Sequence, residues 1–242
     1  MTTPEPSGGI PRTRVWSMFD RIAPRYDALN IILSCGVDRI WRRAVVRKIP
    51  TASSQIVADI ASGTGDQLFT LCRLPQVTHV IGIDMSSGML ELGEKKRRAR
   101  NPQATARFAR GDALRLPLRD QSVTATTISF GIRNVEDVVA GLREMHRVLK
   151  PGGRSIILEF SLPRRPLRGL YLFYLRHILP RIGALLSGDG SAYRYLNQTV
   201  ETFPYGDAFC DLMREAGFDT VTATRLSLGI ATIYCGDKRD TA

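Results

Sequence analysis

From Ile56 to Phe160 the chain alternates short apolar runs with stretches of helical periodicity, and this alternation limits its fold more than any other feature. Strands are read at Ile56–Ile60, His79–Asp84, Ala106–Arg110, Val123–Ser129 and Arg154–Phe160. Helices are read at Asp66–Leu74, Ser86–Arg100 and Val135–Leu149, the last stopped by Lys150-Pro151-Gly152-Gly153. Such an order implies right-handed crossovers and a parallel sheet covered on both faces, an α/β fold. Ligands of these sheets sit beyond the carboxyl ends of the strands, at the topological switch point. The residues that close each strand are therefore the ones to inspect.

The first strand, Val57-Ala58-Asp59-Ile60, breaks into Ala61-Ser62-Gly63-Thr64-Gly65-Asp66, and Leu68, Phe69 and Leu71 then resume at helical spacing. Gly63 and Gly65 let the backbone come close to a ligand, because no Cβ stands in the way. Leu68 occupies the sixth position of a Gly-x-Gly-x-x-Gly pattern and no Lys follows the glycines, so neither common phosphate-binding fingerprint is met. An acid-flanked glycine turn suits a ligand without phosphate, of which S-adenosylmethionine is the common one. The second strand closes with Asp84-Met85-Ser86-Ser87, about 20 residues beyond the glycines, where an acid accepts both hydroxyls of a ribose. Taken alone, Asp84 is as readily a helix N-cap. The third closes with Gly111-Asp112-Ala113, a carboxylate for an exocyclic adenine amine beside a backbone N–H for the ring. The fourth closes with Ser129-Phe130-Gly131-Ile132-Arg133-Asn134. Polar strand ends converging on one crevice shift the weight to ligand binding.

With 242 residues the chain suits one large domain: 1–10 read as a disordered tail, and 11–242 as a single domain with a helical lid at 11–50 and a helical insertion at 162–200. In the lid, Met18, Phe19 and Ile22 recur at helical spacing, Pro24 interrupts, and Leu29, Ile32 and Leu33 resume, giving two or three short helices. The net charge of +11 suggests attraction to nucleic acid, anionic lipid or an acidic partner. The four cysteines (Cys35, Cys72, Cys210, Cys235) are scattered, so neither a metal site nor a redox dithiol is indicated. No apolar stretch approaches a membrane span and no signal-peptide pattern opens the chain, so a cytoplasmic protein is expected.

Several longer stretches resemble the C-methyltransferases of menaquinone and ubiquinone biosynthesis, a family of class I S-adenosylmethionine-dependent methyltransferases. They are Met18-Phe19-Asp20-Arg21-Ile22-Ala23-Pro24-Arg25-Tyr26-Asp27 with Asn30, Leu33-Ser34 and Trp41; Gly63-Thr64-Gly65-Asp66; Gly82-Ile83-Asp84-Met85-Ser86; and Ser129 to Asn134. Arg147 to Gly153, Leu158-Glu159-Phe160-Ser161, Tyr193-Arg194-Tyr195-Leu196 and Phe203-Pro204 complete the set, across residues 15 to 238. The resemblance implies a Rossmann-like sheet of seven strands with the last one antiparallel, between the fifth and sixth. It implies S-adenosylmethionine as cofactor, held by Gly63, Thr64, Gly65, Asp84, Met85, Asp112, Ala113 and Ser129. It implies transfer of a methyl group to a ring carbon of a polyprenylated quinol, demethylmenaquinol first and a polyprenyl benzoquinol as the alternative. The chain departs from the family pattern at Ser62, at Ser155, and at Asp38, which stands where a His is often found.

A ring carbon is a weak nucleophile until a neighbouring hydroxyl loses its proton. Arg133, always charged and rich in donors, is the stabiliser expected for that oxyanion, with Asn134 orienting the same oxygen. Tyr26 and Asp27 on the lid are the candidate proton acceptors. His146 falls inside a helix pattern and is read as a packing residue. The stretch 162–187 is apolar nearly all round a helix, with Arg164, Arg165 and Arg168 at its start. It either packs on the lid, forms a channel for the prenyl tail, or rests on a membrane by inserting Tyr171, Phe173 and Tyr174. An RNA methyltransferase and a non-catalytic adenosine-binding domain are the rivals; no Pro-Pro-aromatic motif follows the fourth strand, so no nucleic-acid partner is expected. A homodimer is left open.

Overall fold

The computed structural model describes residues 15–34, 36–52, 54–100, 105–181 and 190–240. The expected tail and Cys35 lie outside them. One seven-stranded sheet runs in the order β3-β2-β1-β4-β5-β7-β6. Its strands are β1 Gln55–Ile60, β2 Val77–Asp84, β3 Ala106–Arg110, β4 Val123–Ser129, β5 Leu149–Phe160, β6 Thr220–Leu226 and β7 Ala231–Asp237. The first five pair in parallel, while β7 lies antiparallel between β5 and β6. The sequence order reverses between β1 and β4, so the switch point falls where Ala61 and Ser129 leave the sheet.

One apolar face packs on α5 (Val138–Val148) and α8 (Asp207–Glu215) through Leu142, Met145, Phe209 and Met213. The other packs on α2 (Val37–Val46) and α3 (Asp66–Leu71) through Trp41, Val45, Leu68 and Leu71. Between β2 and β3 runs α4 (Ser87–Arg100). β5 begins at Leu149, taking in the segment read as the stop before it, and two helices also differ from their sequence reading. The α3 helix stops at Leu71 and not Leu74, because Pro75 disfavours helical backbone just before it. The α5 helix begins at Val138 because the Asp137 carboxylate caps it, accepting from the Ala140 N–H at 2.9 Å.

The lid corrects a third expectation. Pro24 does not divide it: α1 is continuous over Val15–Leu33. An interior proline costs roughly 3 kcal/mol, and the tertiary contacts of the helix outweigh that. Val15, Met18 and Ala23 are buried, and the Asp20 carboxylate accepts from Ser86 Oγ at 2.5 Å and Gly88 N at 3.0 Å, holding α1 to the start of α4.

After β5 come α6 (Leu167–Phe173), a π-helical turn Tyr174–Ile178 and α7 (Gly190–Thr202). Leu175 and Leu179 are buried against Val15 and Met18 of the lid and Tyr195 and Val200 of α7. Leu167, Leu170, Phe173 and Ile178 face outward at 39%, 69%, 55% and 38% exposure. Of the three aromatics expected to insert into a membrane, only Phe173 points outward, while Tyr171 and Tyr174 turn into an internal cavity.

Candidate active site

Beyond β1 the backbone turns through Ala61 (φ 50°), Gly63 (φ 55°) and Gly65 (φ 88°). At Gly65 a Cβ would come within 2.8 Å of the Phe108 ring, so only glycine lets the turn close on β3. The Gly63 N–H donates to Asp84 Oδ2 at 2.8 Å and the Ser86 N–H to Oδ1 at 2.9 Å. Each carboxylate oxygen keeps a lone pair for a further donor. Burial pushes the Asp84 pKa upward, against the lowering effect of these N–H groups. Asp112 Oδ1 accepts from Leu114 N at 2.9 Å, which fixes the turn presenting Ala113. Gly63, Asp84, Met85, Asp112, Ala113, Ser129 and Asn134 line one cavity of about 250 Å³.

A carboxylate for ribose hydroxyls, a second carboxylate with an adjoining backbone turn, and a glycine turn all open on this space. That donor and acceptor set fits the adenosine of S-adenosylmethionine. Thr64 and Gly65 do not line this cavity, although Thr64 lines a small hollow behind the same turn. Thr64 Oγ1 donates to Asp27 at 2.5 Å and accepts from Lys96 Nζ at 2.8 Å, and Gly65 serves close packing.

A larger cavity of about 470 Å³ lies under α1, α2 and α6. Its aromatic wall is Trp41, Phe130, Phe160, Tyr171 and Tyr195, with Phe130 and Phe160 centroids 4.4 Å apart and Trp41 tilted 5.9 Å from Phe130. The Trp41 indole N–H is satisfied by Ser227 Oγ at 2.8 Å. Phe19 and Phe130 line both cavities, so the two meet there. Phe130 holds a left-handed backbone (φ 59°), a strained state for a bulky residue of the kind found where a site dictates geometry.

Arg133 and Asn134 are neighbours on a 3₁₀ turn, Ile132–Asn134. Successive side chains there point about 120° apart, as three residues make a turn. Arg133 accordingly enters the larger cavity and Asn134 the smaller. Arg133 is not a free surface cation. It is 6% exposed, its Nη1 pairs with Glu159 Oε1 at 2.8 Å and donates to the Phe130 carbonyl at 2.6 Å, and its Nε has no partner. Its guanidinium lies 5.3 Å from the Phe160 ring centroid. Asn134 Oδ1 accepts from the Tyr195 hydroxyl at 3.2 Å, a bond that joins the two cavities.

Of the two proton acceptors named from sequence, only Asp27 has a described side chain, and it lines neither cavity. Asp27 is held by Thr64 and in an ion pair with Lys96, outside both cavities, and the side chain of Tyr26 lies outside those described. The acid that does face the larger cavity is Asp38, 6% exposed, accepting from Ser34 Oγ at 2.9 Å. Its signal in the sequence was a carboxylate on the apolar side of α2, three residues before Trp41. Glu159 was likewise visible as a lone acid closing an apolar strand. His146 packs edge-on against Phe218 at 5.1 Å, away from both cavities.

The model of the ubiE/COQ5 methyltransferase family matches residues 9–238. The chain is 48% identical over 227 residues to the demethylmenaquinone methyltransferase of Deinococcus radiodurans, covering 93% of this chain and 92% of that protein. It is 46% identical over 227 residues to the ubiquinone/menaquinone biosynthesis C-methyltransferase UbiE of Geotalea daltonii, covering 93% and 96%. Among solved structures, an S-adenosylmethionine-dependent methyltransferase of Thermotoga maritima superposes with a TM-score of 0.65 at 20% identity, over 93% of this chain and all of that one, which speaks to the fold.

Proposed function

The chain belongs to the ubiE/COQ5 methyltransferase family, and from that premise we propose that it methylates a ring carbon of a polyprenylated quinol, with demethylmenaquinol as the substrate of choice. It is an S-adenosylmethionine-dependent C-methyltransferase of quinone biosynthesis. The observation that carries the substrate reading is the meeting of a polar strand-end cavity with a large aromatic one across Phe19 and Phe130. A flat aromatic ring with an apolar tail suits the second cavity in size and in the chemistry of its walls.

Bound, the cofactor supplies a methyl group on a positively charged sulfur, which departs with the bonding electron pair as a neutral thioether. Asp38 accepts the proton of the quinol hydroxyl. Arg133, held in place by Glu159 and the Phe130 carbonyl, donates through its unpartnered Nε to the oxygen left negative. The ring carbon beside that oxygen would take the methyl; as aromaticity returned its own proton would pass to solvent on product release, and Asp38 would give its proton back to the oxygen. Asn134 and Tyr195 set the orientation at the boundary, and the aromatic wall excludes water.

The test is turnover to S-adenosylhomocysteine with demethylmenaquinol, a polyprenyl benzoquinol and tRNA in parallel. The naphthoquinol is expected to be the best substrate, and Asp38→Asn to lower kcat by about 10²-fold or more. Methylation of tRNA with neither quinol used would overturn the reading, and an unchanged kcat would remove Asp38 from the proton transfer.

For delivery of the insoluble substrate, we propose peripheral contact with an anionic membrane. Among the described residues no helix is long and apolar enough to cross one. The outward ridge Leu167, Leu170, Phe173 stands beside a hollow ringed by Arg164, Arg165, Arg168 and Arg225. Each basic residue near the headgroups contributes about 1 kcal/mol. Anionic vesicles should bind the protein at low salt and release much of it at high salt, and the triple Gln variant of Arg164, Arg165 and Arg168 should bind more weakly. Protein that stays in the supernatant with anionic vesicles at low salt rules the contact out.

A further inference from the structure

The turn Ser227–Gly229, which joins β6 to β7, carries the most exposed large apolar side chain among the described residues, Leu228 at 77%. Ser227 and Leu228 both hold left-handed backbone, with φ of 45° and 60°. That conformation is cheap for Gly or Asn and strained for leucine. The turn is nonetheless fastened at both ends. Ser227 Oγ accepts from the Trp41 indole N–H at 2.8 Å, and Ser161 Oγ donates to the Gly229 carbonyl at 2.8 Å. The Ser161 N–H donates to the Ile230 carbonyl at 2.9 Å. A strained and clamped turn that holds a leucine out toward water points to something that covers it.

Leu228 also lines the larger cavity, together with Leu167 and Leu170 of α6. At the other end of the same cavity Trp41 and Arg133 are buried. The cavity therefore runs from Arg133 to the surface, and its mouth lies between α6 and the turn, rimmed by three leucines. A space of about 470 Å³ holds a drug-sized molecule, so a long polyprenyl chain has to leave through that mouth. Pro163 lines both this cavity and the neighbouring hollow of Arg164, Arg165, Arg168 and Arg225. Among the described residues no acid lines that hollow. An apolar rim beside concentrated positive charge matches the acyl chains and the headgroups of an anionic bilayer.

We propose that this mouth is a port opening directly into the bilayer, with Leu228, Leu167 and Leu170 inserted among the acyl chains. The quinol ring passes between them to Arg133, and its tail stays in the lipid. The proposal rests on the quinol reading of the larger cavity and on the membrane contact proposed with it. It adds the face that meets the membrane and gives the Ser227–Gly229 turn a task. The bond from Trp41 to Ser227 ties the inserted turn to the aromatic wall, which keeps the port at a fixed distance from the ring site.

The experiment measures kcat/KM for two demethylnaphthoquinols, one with a single prenyl unit in solution and one with a long tail in anionic vesicles. Leu228→Asn is the informative variant, because Asn tolerates the left-handed backbone and keeps the turn. Its long-tail kcat/KM should fall about tenfold or more relative to the short-tail value, the scale of one leucine removed from an apolar phase. Leu170→Gln should act in the same direction. In sedimentation with anionic vesicles, Leu228→Asn should lose binding that survives high salt, whereas the Gln variant of the arginines loses the part that salt screens. An equal loss with both substrates would make Leu228 a wall of the ring site and overturn the port, as would a ratio that stays at its wild-type value. Wild type that methylates the short-tail quinol but never sediments with vesicles overturns the port and leaves the substrate reading standing. Failure to methylate either quinol would instead sink the substrate reading itself, and the port with it.

Discussion

The cofactor cavity is walled by strand ends that the sheet fixes in place, and several polar atoms around and behind it await a ligand. The quinol cavity is walled by α1, α2 and the segment after β5, and the cation beside its aromatic wall, Arg133, is paired with Glu159. On the first side Asp59, Ser62, Gln67 and Arg42 each leave an atom unpartnered. On the second, Arg133 and Glu159 form a buried pair with side chains 7% and 1% exposed, closed further by the Phe130 carbonyl and the Phe160 N–H. The contrast follows from what each cavity receives. A charged, hydrogen-bonding cofactor can complete a polar surface that is left incomplete without it. A greasy ring cannot, so the protein must neutralise its own charges there and still leave one donor, Arg133 Nε, for the oxygen that becomes negative.

The largest effect expected from that contrast is on folding. Glu159→Ala leaves Arg133 buried without its counter-ion, and breaking such a pair from one side costs about 3–5 kcal/mol. Urea unfolding without ligands should show a loss of that order. A loss below about 1 kcal/mol would mean that Arg133 swings to solvent and that the quinol side is not self-satisfied.

On the cofactor side the same kind of deletion should act on binding more than on folding. Asp84→Ala removes the acceptor for the ribose and should weaken S-adenosylmethionine binding on the order of 2–3 kcal/mol. Of its two N–H partners, Gly63 lines the cavity, where water replaces the carboxylate, while Ser86 is buried. Unchanged affinity by calorimetry would leave Asp84 as a structural cap of the turn and erase the distinction between the two sides.

The same contrast explains what could be read from the chain alone. Asp84, Asp112 and Ser129 close strands, and a strand end has a fixed place in an α/β sheet, so sequence order alone put them in one crevice. The antiparallel β7 between β5 and β6 came instead from the family resemblance. The quinol wall joins Trp41, Phe130, Phe160, Tyr171 and Tyr195 from five separate segments, and no periodicity announces which of two helix faces turns inward. Tyr171 and Tyr174 were therefore left between internal packing, a channel and a membrane surface, and Asp27 was named as proton acceptor where Asp38 is the acid that faces the larger cavity. Pro24 misled for a related reason: a local breaker gives way when Asp20 ties its helix to α4. The bonds of the Thr64 hydroxyl to Asp27 and Lys96, residues far apart in sequence, could not be read from its motif either.

The smallest expected effect is also the most direct test of whether the cofactor side is strained when empty. Asp59 is fully buried, with Oδ1 accepting from Thr127 Oγ1 at 2.6 Å and Oδ2 unpartnered. Desolvation pushes its pKa from 3.8 up to about 7, against the lowering effect of Thr127 and Arg42. Between those values the native state binds more protons than the unfolded chain, so the contribution of this carboxyl to stability falls as pH rises through that window. Asn at this position keeps the acceptor for Thr127 and cannot ionise. Asp59→Asn should therefore match the wild type near pH 4 and exceed it at pH 8, by about 1–2 kcal/mol once relaxation of the site is allowed for. His146, lowered and remote, is common to both proteins and cancels in the difference, while Asp84, whose charge also raises Asp59, adds to it. Urea unfolding at the two pH values reads the effect directly. A variant less stable at pH 8 would show that Arg42 already neutralises Asp59, so that no ligand is needed to complete the cluster. Saturating S-adenosylmethionine should narrow the gap at pH 8, because its ammonium group gives Asp59 the donor it lacks. An added quinol, bound on the side whose charges are already paired, should leave the gap as it was.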